Sequence, residues 1–233
     1  MGQTLLAERV SARSIIGTRV AEVAVAPTPL HYAVAKRALD IVVSAVVLVL
    51  TLPIMALIAL LVRLDSPGPV LFKQARVGRG GRVFAFYKFR SMHADARQRF
   101  ADLYAYRYTR QEFVDLVLKT ADDPRLTPVG RKLRRTSLDE LPNLFNVLRG
   151  DMSLVGPRPE LPEMVRYYTH EELMKFSVRP GVTGLWQVSG RANLRNGVQL
   201  AADVEYVRRR GLRFDLVILL RTIKVVVLRV GAL

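Results

Sequence analysis

The longest apolar run in the chain extends from Ile41 to Val62 and is bounded by Asp40 and Arg63. Its 22 residues include no charged side chain. A straight helix of that length would be roughly 33 Å long at about 1.5 Å per residue, close to the roughly 30 Å hydrocarbon core of a bilayer. The pattern favours a membrane-inserted helix over a buried core helix. We expect this helix over residues 36–64, after an N-terminal extension over residues 1–35.

Proline 53 lies in the middle of this run. Pro53 predicts a kink or break in the helix, because proline lacks a backbone donor and its ring clashes with the preceding turn. Basic residues flank the run on both sides, with Lys36 and Arg37 before it and Arg63 after it. Positively charged flanks favour the cytoplasmic side of a membrane. A re-entrant helix that enters and leaves the same face is therefore an alternative to a spanning helix.

The rest of the chain is predicted to contain short strands and short helices. Two stretches rich in aromatic and β-branched residues, 70–77 and 82–90, surround a glycine-rich turn and predict a small β-hairpin. Thr127 followed by Pro128 predicts the start of a helix. The predicted fold is α+β and mainly helical, with a globular domain over residues 65–211.

Residues 212–233 predict a C-terminal amphipathic helix. Such a helix either lies in the membrane interface or packs on the core with its charged stripe in solvent. The basic residues that would share one side are Arg210, Arg213, Arg221, Lys224 and Arg229.

Charge and composition narrow the function. The chain has 233 residues and a formal charge of +16, and half of its residues are apolar. All but two of the sixteen net positive charges follow residue 40. The partner is therefore anionic: nucleic acid, an acidic membrane surface or a phosphorylated substrate. With no cysteine and only three scattered histidines, the sequence excludes a thiolate nucleophile and favours a hard cation on carboxylates for any metal.

Two adjacent carboxylates, Asp139 and Glu140, follow the basic segment 131–135. Ser137 and Glu140 match a capping box, which is the ordinary explanation for such a pair. Pro142 argues against it, because a helix capped by Ser137 would lose a backbone hydrogen bond at that proline. The helix is therefore expected to begin at or after Asp139. A carboxylate that attacks a phosphoryl group needs nearby cations or Mg²⁺, and the preceding segment supplies cations.

Other cations stand in rigid or β-rich segments. Arg158 lies between two prolines and Arg179 precedes a proline and a glycine, although either could be an exposed turn residue. Guanidinium groups bind phosphates through paired hydrogen bonds. Trp186 could stack on a base, although a single tryptophan is more often a core residue. The predicted phosphate contacts are Lys88, Arg90, Arg134, Arg158 and Arg179.

Several segments, in order, resemble the bacterial sugar transferases, the monotopic phosphoglycosyl transferases, over residues 36–230. The segments that carry the resemblance are Lys36-Arg37-Ala38-Leu39-Asp40, Asp65-Ser66-Pro67-Gly68-Pro69, Tyr87-Lys88-Phe89-Arg90-Ser91-Met92, Asp123-Pro124-Arg125, Ser137-Leu138-Asp139-Glu140-Leu141-Pro142, Ser153-Leu154-Val155-Gly156-Pro157-Arg158-Pro159 and Arg179-Pro180-Gly181-Val182-Thr183-Gly184.

The resemblance implies transfer of a sugar 1-phosphate from a UDP-sugar to undecaprenyl phosphate, with release of UMP, as the first membrane step of exopolysaccharide, capsule or glycoconjugate assembly. It implies that Asp139 is the nucleophile and a Mg²⁺ ligand, and that a covalent phosphosugar intermediate forms. Glu140 would help to place the metal or take a proton from the acceptor. The family's inserted helix is re-entrant and broken at a Ser-Pro pair, where this chain has Leu52 and Pro53.

The resemblance also implies a location at the bacterial inner membrane, with the catalytic domain on the cytoplasmic face. The chain looks like the short, catalytic-core form of the family. UDP-sugar, undecaprenyl phosphate and membrane lipids are the expected partners, nucleic acid is not expected, and a homo-oligomer stays open. The competing hypothesis is a membrane-tethered, non-enzymatic binder of nucleic acid or anionic lipid, which would explain the charge but not the carboxylates beside it.

Overall fold

The computed structural model describes residues 27–117, 123–189 and 194–227, and this part of the chain is mainly helical. Most of the predicted N-terminal extension, and Arg229, lie outside the described residues. The helices are α1 (Leu30–Asp65), α2 (Ala96–Arg99), α3 (Arg110–Asp115), α4 (Pro128–Thr136), α5 (Asn143–Arg149), α6 (Leu185–Ser189), α7 (Asn196–Arg209) and α8 (Leu212–Val227). The strands are β1 (Leu71–Val77), β2 (Val83–Phe89), β3 (Ser153–Val155) and β4 (Gly181–Thr183).

Helix α1 contains the apolar run and is longer than predicted. It begins at Leu30 rather than at residue 36, and it continues as one α-helix through Pro53. The helix assignment therefore shows no break at Pro53, and a kink at this proline stays a prediction. Within the described residues, α1 is the one helix long and apolar enough to cross a membrane, with a mean hydropathy of 3.0 in its most apolar window.

One face of α1 packs against the rest of the protein near both of its ends. Towards the N-terminus, Ser44 and Leu48 are buried, and towards the C-terminus, Ile58 and Val62 are buried. The stretch between them is mostly exposed, including Leu50 and Leu52 on either side of Thr51. The same globular body thus contacts α1 on both sides of Pro53.

Polar contacts fix the N-terminal half of α1 to the domain. The Lys36 ammonium donates to the Asp215 carboxylate of α8 at 2.7 Å, and the Tyr32 hydroxyl donates to the same carboxylate at 2.9 Å. The Asp40 carboxylate accepts hydrogen bonds from the Ser153 hydroxyl at 3.0 Å and the Leu154 amide at 2.9 Å. These contacts join α1 to α8 and β3.

The predicted hairpin is confirmed. Strands β1 and β2 pair antiparallel, with Phe72 opposite Lys88 and Arg76 opposite Phe84. Opposed residues of an antiparallel pair project from the same face of the sheet, and residues two apart share that face. Arg76 and Lys88 therefore lie on one face of the hairpin.

A second, parallel pair of strands holds together two of the segments identified in the sequence. The Gly156 amide donates to Thr183 at 2.9 Å and the Gly181 amide donates to Pro157 at 2.8 Å. A methyl group on Gly181 would lie 2.1 Å from the Gly156 nitrogen, so the two chains approach as closely as only glycine permits. The segment that begins at Arg179 therefore forms a structural strand.

Helix α8 forms where the C-terminal helix was predicted, over the described residues Leu212–Val227. Asp215 and Ile218 are buried against the domain, whereas Leu216, Leu220 and Ile223 are exposed. One side of α8 is buried against the domain and another side exposes apolar residues. The helix can therefore pack on the core and also lie in a membrane interface. Its placement in a membrane interface stays a prediction.

Candidate active site

The carboxylate pair lies on a tight turn between two helices. Ser137 ends α4 in the left-handed conformation, with φ of 58° and ψ of 15°, and a single 3₁₀ turn follows over Leu138–Glu140. The Ser137 side chain makes no capping hydrogen bond there, so the capping box is not formed. Helix α5 begins only at Asn143, after the pair, as the position of Pro142 predicted. Asp139 is buried and Glu140 is half-buried.

Three of the five predicted phosphate contacts surround this turn. The Arg158 guanidinium lies 3.2 Å from a carboxylate oxygen of Glu140. The charge of Asp139 acts on Lys88, on Arg134 and on Arg158. Lys88 comes from β2, Arg134 from α4, and Arg158 from the segment after β3. Three separate elements thus converge on one carboxylate.

Lys88 has the most perturbed acid–base behaviour of these cations. Burial lowers the pKa of Lys88 to about 7, although the Asp139 carboxylate opposes this change. Arg134 and Arg76 lower it further by repulsion. A lysine with this pKa is partly deprotonated at neutral pH and gains its full charge when an anion binds beside it.

Arg134 is held in place by the end of β2 and by Asp123. Its Nε donates to the Ser91 hydroxyl at 3.3 Å, and Nη1 lies 3.6 Å from the Asp123 carboxylate. Burial lowers the pKa of Arg134, against the charges of Asp139 and Asp123. Helix α4 can approach so closely because Gly130 faces Ser91: a methyl group there would lie 2.0 Å from the Ser91 carbonyl oxygen.

The pKa of Arg158 shifts in the opposite direction from those of Lys88 and Arg134, because the Glu140 carboxylate contacts Arg158 directly. Burial alone would lower the pKa of Arg158, but the charge of Glu140 and its hydrogen bond outweigh burial and raise it. Arg158 therefore keeps its charge in the site, and Glu140 fixes the direction of its guanidinium.

Arg90 lines a cavity beside Lys88 but donates to backbone carbonyls, and its role as a phosphate contact stays a prediction. Its guanidinium donates to the Val62 carbonyl at 3.0 Å, to the Ser66 carbonyl at 2.6 Å and to the Pro67 carbonyl. These are carbonyl groups at and beyond the end of α1, where a helix leaves its last acceptors unpaired. Arg90 thereby joins α1 to β2.

The structure places Arg179 at the other end of α5 from the carboxylate pair, and its role as a phosphate contact stays a prediction. Its Nε donates to the Gly150 carbonyl at 3.0 Å, just past the C-terminus of α5, whereas the carboxylate pair precedes the N-terminus of α5. Burial lowers the pKa of Arg179, and Arg37 lowers it further. Trp186 is 5% exposed and is therefore a core residue.

Arg76 was not among the phosphate contacts predicted from the sequence. Burial lowers the pKa of this arginine to about 10, and the charges that act on it include those of Glu160, Arg158 and Glu140. Its guanidinium lies over the Phe86 ring, 5.5 Å from the centroid. The register of the hairpin was the available signal, because residues 72, 74 and 76 share a face with Lys88.

A cavity of about 350 Å³ opens beside Lys88 and Ser91. Its walls combine aromatic rings with polar groups, which is typical of small-molecule sites. The aromatic residues are Phe72, Tyr104 and Tyr106.

The donor set of the site also fits a magnesium ion. Within the described residues no three carboxylate, histidine or cysteine side chains gather around one point, so a cage made by protein alone is absent there. Mg²⁺ instead uses one or two carboxylates, with water and substrate phosphates as its other ligands. Asp139 and Glu140 supply such a pair.

The described part of the chain thus combines a buried carboxylate, an adjacent carboxylate and nearby cations with one long apolar helix. The sequence model of the bacterial sugar transferases matches residues 31–229. The chain belongs to the bacterial sugar transferase family.

Three relatives illustrate the similarity. The chain is 43% identical, over 84% of its length, to an undecaprenyl-phosphate galactose phosphotransferase of Salmonella typhimurium, of which it covers 41%. It is 42% identical, over 81% of its length, to a UDP-glucose:undecaprenyl-phosphate glucose-1-phosphate transferase of Caulobacter vibrioides, of which it covers 68%. It is 38% identical, over 85% of its length, to the exopolysaccharide production protein ExoY of Rhizobium meliloti, of which it covers 88%. The chain thus spans under half the length of some relatives and most of others.

Proposed function

We propose that the chain is a phosphoglycosyl transferase that moves a sugar 1-phosphate from a UDP-sugar to undecaprenyl phosphate and releases UMP. The observation that carries the proposal is the buried Asp139 facing Lys88, Arg134 and Arg158. The names of the relatives supply the two substrates. The alternative of a non-enzymatic binder of nucleic acid or anionic lipid is not favoured, since a binder of phosphates gains nothing from a buried carboxylate.

In the first step the Asp139 carboxylate attacks the phosphorus that carries the sugar. The bond from this phosphorus to the bridging oxygen breaks, and UMP leaves with that oxygen and its electron pair. The sugar phosphate stays on Asp139 as an acyl phosphate. Arg134 and Arg158 neutralise the phosphoryl oxygens, which would otherwise repel the carboxylate. Protonated Lys88 stabilises the charge that develops on the leaving UMP.

In the second step a phosphate oxygen of undecaprenyl phosphate attacks the same phosphorus. The bond to Asp139 breaks, the carboxylate is restored, and the product is an undecaprenyl diphosphate sugar. Glu140 orients Arg158 and can accept a proton from the acceptor phosphate. We assign the cavity beside Lys88 to the part of the donor that extends beyond its phosphates.

Mg²⁺ would be held by Asp139 and Glu140 together with the donor phosphates. When bound, it supplies positive charge to the phosphate oxygens. Lys88, Arg134 and Arg158 already act on the two carboxylates, which supports entry of the metal together with the negatively charged diphosphate rather than alone.

The decisive experiment follows the enzyme-bound intermediate. Wild-type protein mixed with Mg²⁺ and a panel of UDP-sugars, without acceptor, should release about one UMP per protein and gain the mass of one sugar phosphate. Asp139→Asn should do neither, because its amide is not a nucleophile, and Glu205→Gln on the exposed side of α7 should behave as wild type. Absence of UMP release with every donor and undecaprenyl phosphate would refute the proposal.

We further propose that α1 enters and leaves the membrane on the side of the catalytic domain, the cytoplasmic face of the bacterial inner membrane. The support is that one globular body buries Ser44 and Leu48 before Pro53 and Ile58 and Val62 after it. Because the chain has no cysteine, single cysteines at positions 30 and 75 can be labelled cleanly with an impermeant maleimide. Both should react from the same side of sealed vesicles, and reaction from opposite sides would establish a spanning helix.

A further inference from the structure

A buried group of charges lies behind Arg158, away from the carboxylate pair. The Lys175 ammonium and the Asp203 carboxylate of α7 lie 2.8 Å apart, and their side chains are 3% and 2% exposed. A buried ion pair adds little stability compared with apolar residues of similar size, because both charges lose their hydration. This pair therefore calls for an explanation other than stability.

Glu160 connects the ion pair to the hairpin. One of its carboxylate oxygens lies 4.0 Å from the Lys175 ammonium and accepts a hydrogen bond from the Tyr168 hydroxyl. The other lies 3.9 Å from the Arg76 guanidinium and accepts from the Leu161 amide at 2.8 Å. Positive and negative groups thus alternate from α7 to the site.

The same residues fix the backbone next to Arg158. The Val77 amide donates to the Glu160 carbonyl at 2.8 Å, and the Arg76 guanidinium donates to the Pro159 carbonyl at 3.2 Å. Burial raises the pKa of Asp203, while Lys175 and the Arg158 backbone amide favour its ionised form. The segment that carries Arg158 is therefore held between β1 and α7.

We propose that Lys175, Asp203 and Glu160 are positioning residues, which set the direction of the Arg76 guanidinium and hold the backbone that carries Arg158 in place beside the phosphates, without touching substrate themselves. We call them the positioning network. The inference rests on the proposed function for the identity of the substrate. The anion site itself can be tested without turnover.

Two variants separate positioning from simple electrostatics. Glu160→Gln removes a negative charge near Arg76, which by Coulomb's law alone should strengthen anion binding. The double variant Lys175→Met with Asp203→Asn keeps the net charge and leaves no unpaired buried ion, so electrostatics alone predicts no change. A positioning role predicts weaker binding in both variants, because displaced guanidinium groups lose their paired hydrogen bonds.

The assay is calorimetric titration of the full-length protein in detergent with pyrophosphate and Mg²⁺, combined with thermal unfolding. We expect the dissociation constant to rise about tenfold or more in both variants, and kcat/KM for UMP release to fall by roughly ten- to a hundredfold. The melting temperature of the double variant should stay within a few degrees of wild type. The matched control is Glu171→Gln with Arg208→Met, an exposed ion pair that also involves α7, which should change neither quantity.

The outcomes distinguish the two proposals. Weaker pyrophosphate binding in the variants, in a protein that transfers no sugar phosphate, would support the positioning network and refute the proposed function. Unchanged or tighter binding in the variants, or no pyrophosphate binding by the wild type, would overturn the positioning network. If the double variant does not fold, Glu160→Gln decides alone, since only positioning predicts that its binding weakens.

Discussion

Replacing Lys88 by arginine should change how the reaction depends on pH. Burial lowers the pKa of Lys88 from 10.5 to about 7 in the protein without substrate. If the charged ammonium is needed for the phosphates, kcat/KM should fall as pH rises above 7, about tenfold per pH unit. Arginine stays charged throughout this range, so Lys88→Arg should lack this falling limb.

The size of the effect follows from the protonated fraction. Lys88 is about half protonated at pH 7 and about one hundredth protonated at pH 9, so wild-type kcat/KM should fall roughly fiftyfold between these values. The unfolded chain keeps this proton up to about pH 10.5, so it binds more protons than the folded protein between about pH 7 and pH 10.5. The free energy of unfolding should therefore rise with pH over that window from this group.

The assay is UMP release at low donor concentration from pH 6 to pH 9.5 in constant ionic strength. The Arg variant is expected to be slower at pH 7, since its fork differs in shape from an ammonium, but to keep its rate at pH 9 within a few fold. Lys132→Arg, an exposed replacement on α4, should reproduce the wild-type profile. A falling limb that stays at pH 7 in Lys88→Arg would show that another group titrates.

Two further substitutions test how the site is supported. Gly130→Ala should lower the free energy of unfolding by about 1–3 kcal/mol in chemical denaturation, because the new methyl group would meet the Ser91 carbonyl, whereas a methyl group at Gly211 would lie 3.9 Å from the Arg209 carbonyl oxygen, an ordinary contact, so Gly211→Ala should be close to neutral. Arg90→Met should lower that free energy by about 2–4 kcal/mol, because it leaves the Val62 and Ser66 carbonyls without their donor. A loss of activity without any loss of stability in Arg90→Met would instead place Arg90 in the phosphate site.

Local patterns predicted the local elements well. Two stretches rich in aromatic and β-branched residues around a glycine-rich turn identified the hairpin. Thr127 caps α4 as expected, with its hydroxyl accepting from the Gly130 amide at 3.0 Å. The position of Pro142 correctly placed the start of α5 after the carboxylate pair. Each of these features depends on residues within a few positions of one another, so the sequence contains the relevant interactions.

Long-range contacts were not predicted. Arg90 and Arg179 were predicted as phosphate contacts from their positions in motifs. A guanidinium group can also donate to backbone carbonyls, and packing decides which partners lie near it. Arg76 was missed because its partner Glu160 lies 84 positions away in the sequence. Helix α1 continues through Pro53 although a proline inside a helix removes one hydrogen bond and clashes with the preceding turn, so this local rule alone did not predict the end of the helix.

The charges of the site explain why it should select a diphosphate rather than a metal alone. Burial lowers the pKa of Lys88, Arg134 and Arg76, so the protein must hold these cations against the cost of desolvation and of their mutual repulsion. A bare divalent cation would add to that repulsion, whereas a nucleoside diphosphate relieves it. In the proposed reaction this relief would be lost when UMP leaves with part of the negative charge, while the sugar phosphate would stay on Asp139. The site then again favours an anion, and the phosphate of the lipid acceptor has the required charge.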